Sequence, residues 1–199
     1  SYNLAPEIWT EYISPYSSIL IETGVNRVLV DTGAGRLTPT TGNLLSSLRS
    51  AGIDPEDIDT VILTHAHGDH IGNNLDADGE PAFPNARYVM AQAEWDFWTT
   101  DPDLSQLLIP LEKKQMCVQM AQDNLLPLAD RMKFITTEQE IVPGIRAIPA
   151  PGHTPGHMAL EIASRDQKLL DLADAVLHPI HLEHPDWRAV VDLDAEQVE

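Results

Sequence analysis

The sequence predicts a layered α/β protein, a single domain over residues 1–199 whose loops carry its chemistry. β-prone runs alternate with helical patterns in two successive halves, and three of those runs end in histidines or aspartates, residue types able to ligate a metal. No repeat, low-complexity tract or linker divides the chain, which is long enough to bury one substantial core.

The first half opens with Ser18 to Glu22 and Arg27 to Asp31, short β-prone runs on either side of Gly24-Val25-Asn26, which predict a hairpin. Leu44, Leu45 and Leu48 fall at helical spacing, and Gly52 is placed to end that helix. Asp54-Pro55 starts a turn, and Thr60 to Thr64 forms a buried strand that stops where histidines begin. Gly72 to Pro84, rich in Gly, Asn, Asp and Pro, is expected to be a surface loop. A second cycle places a strand at Arg87 to Met90 and a helix at Ala91 to Trp98. A longer helix is expected over Leu111 to Asn124, with Leu111, Gln115, Val118 and Gln122 facing away from Met116 and Met120. Strands return at Met132 to Ile135, Ile145 to Pro149, Met158 to Ala163 and Lys168 to Ala173, with turns at Pro143-Gly144 and Asp166-Gln167. Asp186 to Val191 reads like the start of a helix.

Composition narrows the function classes. Twelve basic residues against thirty-one acidic ones leave a formal charge of -19, so the average surface repels a phosphate backbone, and no nucleic-acid partner is expected. The single cysteine, Cys117, can form neither an internal disulfide nor a thiolate metal site, and is expected to be a small buried residue in a helix. No apolar run approaches membrane-spanning length, and SYNLAPEIWTEY lacks a basic segment followed by an apolar one. A soluble, cytoplasmic protein without a membrane partner is the expectation. The start at Ser1 leaves a processed N-terminus open, and the oligomeric state is open too, a homodimer included.

The chemistry is concentrated at the strand ends. In Thr64-His65-Ala66-His67-Gly68-Asp69-His70, four potential ligands fall within six residues directly after an apolar strand. If the chain stays extended past Thr64, His65 and His67 point the same way, and Gly68 permits a turn that lets Asp69 and His70 face the same cavity. Imidazoles with a carboxylate suit zinc, iron or manganese, whereas magnesium and calcium prefer oxygen. Four such groups do not easily close around one ion and leave it an open position, so two ions are expected. Downstream, Pro149 to His157 sets His153 and His157 on a loop stiffened by three prolines, and Leu169 to Ala173 leads to Asp174.

The combination VLVDTG at Val28 to Gly33, THAHGDH at Thr64 to His70, PGHTPGH at Pro151 to His157 and LADA at Leu172 to Ala175 resembles the metallo-β-lactamase superfamily. Within it, the sequence is similar to the branch of acyl-homoserine-lactone lactonases and methyl-parathion-hydrolase-like enzymes. The resemblance implies an αββα sandwich with two divalent transition metals at one edge, zinc foremost and iron or manganese as alternatives. It also implies that His65, His67 and His153 bind the first metal, Asp69 and His70 the second, and Asp174 both. Asp31 would support the site from behind and His157 would orient its loop. The activity implied is hydrolysis of a small lactone, carboxylic ester or phosphotriester by a metal-bridging hydroxide, with Asp69 as catalytic proton carrier.

The family supplies one more histidine from a C-terminal strand-turn, and this sequence reaches Glu199 before any such element. Either a terminal strand and helix lie beyond these residues, or the second site is weakened or completed by something else. His178, His181 and His184 are the available substitutes, although surface or loop packing is the simpler expectation for them. Trp95, Phe97 and Trp98 are expected in the core, with a pocket edge as a secondary role. The rival functions are a thioesterase or iron-dependent sulfur oxygenase of the same fold, and a non-catalytic metal-binding protein with a decayed second site. No G-x-S-x-G or G-x-x-x-x-G-K-[ST] occurs, which argues against a serine hydrolase or a nucleotide enzyme.

Overall fold

A computed structural model describes residues 15–187, 189–194 and 196–198. The N-terminal SYNLAPEIWTEY, where no leader is expected, lies outside them, as does Arg188 within the expected last helix. The described residues from 184 to 191 form turns and irregular backbone, so no helix starts there. Among the described residues, no helix is long and apolar enough to cross a membrane.

Two sheets form the centre. The first runs β1 (Ile19–Glu22), β2 (Arg27–Val30), β3 (Thr60–Ile62), β4 (Arg87–Ala91), β5 (Met132–Ile135), with β1 antiparallel to β2 and the other neighbours parallel. The second, β6 (Gln139–Val142), β7 (Ile145–Pro149), β8 (Met158–Ser164), β9 (Gln167–Asp171), is antiparallel throughout.

The central strands are apolar on both faces because each face meets a different layer. Val28, Val30, Ile62 and Val89 point into a core shared with Ile145, Ala147, Met158 and Leu160 of the second sheet. Leu29, Val61, Tyr88 and Met90 point the other way, toward Leu48, Trp98, Ala121 and Leu125 on the helices. Those helices are α1 (Leu44–Ser50), α3 (Gln92–Thr99) and α4 (Leu111–Leu125); a one-turn α2 (Gly68–Ile71) follows β3, and α5 (Ile180–Glu183) follows the second sheet. The first sheet thus has helices on one side and the second sheet on the other. Leu169 and Leu170 of β9 are exposed.

Several elements depart from the sequence expectation. β6 was not expected: Gln139-Glu140 dilutes the apolar signal, and the strand forms as the edge partner of β7 across Pro143-Gly144. The following turn falls at Arg165-Asp166, because Gln167 already pairs with Ser164. β9 ends at Asp171, and Ala173 to Ala175 coil into a 3-10 turn instead of continuing the strand. On α4 the buried positions are Ala121 and Leu125, with Cys117 and Val118 partly buried beside them, while Leu111 and Met116 are exposed. Gly72 to Pro84 runs over the surface as expected, but it is pinned inward by buried Phe83 and by Asn74, which accepts from Thr32 Oγ1 and donates to the Asn124 carbonyl.

Candidate metal centre

The ligand-type residues converge because three chain segments leave their strands at the same edge of the two sheets. Leu63 N–H still donates to the Val89 carbonyl, and then the chain leaves the ladder: Thr64 N–H donates to Asp31 Oδ1 and Thr64 Oγ1 to Asp31 Oδ2, both at 2.8 Å. Asp31 itself sits at φ 56°, a conformation unusual for a residue with a side chain, held by these bonds at the end of β2. Its carboxylate also meets His70 Nδ1 at 2.7 Å, which turns His70 Nε2 toward the site.

Two donor groups result. His65, His67, His153 and Asp174 form one, Asp69, His70 and Asp174 the other, each with its ligand atoms within 4.8 Å of one another. All six residues expected as ligands are therefore brought together, and Asp174 belongs to both groups. Gly68 opens α2 directly after His67, so Asp69 and His70 rise on its first turn.

The donor geometry fits a cation. His67 Nδ1 stands 3.1 Å from His65 Nε2 and 2.9 Å from His153 Nε2, and Asp174 Oδ2 lies 3.4 Å from His153 Nε2 and 3.8 Å from His65 Nε2. Three imidazole nitrogens this close cannot all carry protons, and lone pairs aimed at one another repel unless a positive centre lies among them. Nitrogen-rich donors of this kind are those zinc accepts.

Burial and mutual repulsion keep the His65 and His67 rings neutral, the state a ligand needs. His65 is held well below the ordinary histidine value by burial and then by His70, His67 and His153, and His67 by burial and then His153. Burial also opposes a charge on His70, but Asp31 and Asp174 outweigh it and hold this ring well above the ordinary value in the absence of metal. For Asp174, burial is outweighed by the hydrogen bond and charge of His70, which pull it down to about 2. Asp69, by contrast, is pushed up by burial.

His157 lies beside these donors, its Nδ1 donating to the Ala150 carbonyl at 3.1 Å and its Nε2 accepting from Asp174 N–H at 3.1 Å. Burial, reinforced by His153, pushes it down to about 4. The substitutes fall elsewhere. His178 lines a cavity of about 380 Å³ together with Asp69, His70 and Asp174, its Nδ1 accepting from Ile180 N–H, whereas His184 stacks on Trp187 at 4.4 Å. Among the described residues, neither of these nor His181 joins a donor group. Trp98 is fully buried and its ring lies edge-on to His67 at 5.5 Å, while Trp95 and Phe97 pack against the same core. None of the three lines the cavity beside Asp174. Cys117 is half-buried, with its thiol pushed up by burial and by the Asp69 carboxylate.

Two supporting residues escaped the sequence reading. Asp192 Oδ1 meets His153 Nδ1 at 2.8 Å, fixing that ring's tautomer and orientation, and nothing distinguishes it from the other acids near the C-terminus. Glu94 is fully buried on α3 among backbone donors; its one sequence signal is an acid four residues before Trp98, on the helix's apolar face.

The sequence model of the metallo-β-lactamase superfamily matches residues 13–193. The chain belongs to this superfamily. Among its relatives are N-acyl homoserine lactonases of Bacillus: one from Bacillus sp is 28% identical over 168 residues, covering 74% of this chain and 58% of the relative. One from Bacillus cereus is 27% identical over 176 residues, covering 78% and 61%. Among solved structures, AidC, a dizinc quorum-quenching lactonase in complex with a homoserine product, superposes with a TM-score of 0.83 at 32% identity, over 91% of this chain and 64% of that one. The hydrolase AbOPH gives 0.79 at 28%, over 90% and 62%. The chain thus spans about three-fifths of the length of these relatives.

Proposed function

We propose that this superfamily member houses a two-metal hydrolytic site for a small, uncharged ester-like substrate, a lactone foremost. The observation that carries the proposal is the pair of donor groups joined through Asp174. His65, His67, His153 and Asp174 would hold one divalent metal, and Asp69, His70 and Asp174 the other. Such ions supply a Lewis acid and make water a nucleophile near neutral pH.

The chain's own residues do the rest. Asp31 and Asp192 lock the rings of His70 and His153, and the His157 ring holds the backbone of Asp174, so the donors are set before substrate arrives. Asp69 lies on the wall of the cavity, where burial raises its carboxyl and equips it to accept a proton and release it to a leaving oxygen. Tyr16, Ile19, Val176 and Leu177 give the same cavity an apolar side that suits an acyl or aryl substituent and excludes water. The formal charge of -19 favours a neutral substrate over an anionic thioester of glutathione. N-acyl homoserine lactones combine an apolar tail with a neutral lactone, and the lactonase relatives point to the same class.

A hydrolysis panel of lactones, carboxylic esters, phosphotriesters and β-lactams, run with and without chelator, tests this reading. Lactone turnover that disappears on chelation and returns with zinc is expected; turnover that is indifferent to chelation, or none in any class, contradicts it. Asp69→Asn keeps an oxygen donor but removes the proton acceptor. It is expected to lower kcat about 100-fold while leaving metal content near wild type.

A further inference from the structure

The two halves of the chain each bring a histidine loop to the centre, and something must fix the distance between them. His65 and His67 follow β3 of the first sheet, and His153 lies between β7 and β8 of the second. Glu94, in the first turn of α3, touches both loops. Its Oε1 accepts from Ala66 N–H, between His65 and His67, at 2.9 Å, and from Trp98 Nε1 at 2.7 Å. Its Oε2 accepts from Gly156 N–H, between His153 and His157, at 2.9 Å. A Cβ on Gly156 would stand 2.2 Å from Glu94 N, so α3 and this loop meet backbone to backbone. One backbone bond, Met158 N–H to the Thr64 carbonyl at 3.1 Å, joins the same two segments lower down.

We infer that Glu94 is a positioning residue that sets the spacing between His65 and His67 on one loop and His153 on the other. A fully buried acid is costly, and three N–H donors offset that cost only if both oxygens accept. That requirement explains a carboxylate over an amide: glutamine has one acceptor and would present an N–H to one of the two loops. Trp98, whose ring lies against His67, is held by the same oxygen, so a shift of Glu94 is transmitted to that ligand as well. The inference rests on the metal-site reading above.

Glu94→Gln tests it. Zinc affinity, measured on folded protein by chelator competition, is expected to fall about 10- to 100-fold, the usual cost of losing a group that orients ligands. The visible spectrum of the cobalt-substituted variant is expected to differ from wild type. A lower melting temperature with unchanged zinc affinity and an identical cobalt spectrum assigns Glu94 to folding alone and overturns the inference. Wild-type protein that binds no metal overturns the metal reading first, a separate result. If Glu94→Gln does not fold, NMR of wild type decides. The amide signals of Ala66 and Gly156 and the Trp98 indole signal are expected to shift along one zinc saturation curve, and signals that ignore zinc overturn the inference.

Discussion

His65→Ala is expected to lower zinc affinity by roughly 100-fold or more, and lactone turnover with it. A structural zinc held by four ligands is worth about 10–16 kcal/mol, so one ligand accounts for about 3 kcal/mol on average. His65 has no slack to compensate: it is fully buried, its Nε2 faces His67 Nδ1 and Asp174, and no spare donor stands behind it in its group. The fold should survive, because the ring contributes no strand pairing and its loss relieves crowding among four neighbouring imidazoles. Chelator competition on protein with a native circular dichroism spectrum checks this. A variant with wild-type affinity and turnover would remove His65 from the site.

Metal-free protein is expected to lose stability steeply between about pH 6.5 and 4. His157 is depressed to about 4 in the folded chain, so within that window the unfolded chain binds a proton that the folded chain refuses. Its contribution is present above the ordinary histidine value and is lost as the pH falls, on the order of 3 kcal/mol for this ring. His65 and His67 are shifted in the same direction and add to the loss. His70 does not offset it: its raised value stabilises the fold below the ordinary histidine pKa, and that share is lost only as pH rises through the folded value. Asp174, at about 2, withdraws a further share below the ordinary carboxylate range. Asp69, Glu94 and Asp171, raised by burial, take up protons in the folded chain as the pH falls and return part of this, so the net expectation is a marked loss against a typical total of about 5–15 kcal/mol. Urea midpoints of chelated protein at pH 7, 6, 5 and 4 measure the effect. A flat profile would mean that the buried rings are already protonated or reach solvent.

Bound metal competes with protons for the same nitrogens, so zinc should protect the protein at neutral pH and be released as the buffer becomes acidic.

The donors were legible in the sequence because they are local: four residues within THAHGDH and His153 within PGHTPGH lie where strands end, and strand ends are readable from apolar runs. Asp174 was legible for the same reason, even though β9 stops earlier than expected and a 3-10 turn carries the residue to the site. The supports were less legible because they are long-range. Glu94 reaches Gly156 across 62 positions, and Asp192 reaches His153 across 39. An isolated acid in a helix or near the terminus carries no mark of such a partner. The fold was readable where both faces of a strand are buried, as in β2 to β4, and less so at the edge, where β6 is half polar. The buried face of α4 escaped for a related reason. Its apolar residues circle the helix, and the face that meets the core is that of Ala121 and Leu125, with Cys117 and Val118 beside them.

The central claim is that six side chains from three strand ends hold two metal ions. X-ray absorption at the zinc edge, combined with elemental analysis of zinc-loaded protein, tests it most directly. Close to two zinc ions per chain are predicted, in shells of nitrogen and oxygen with imidazole scattering and no sulfur. Absence of bound zinc, or a sulfur neighbour that could come only from Cys117 or a methionine, would contradict the account.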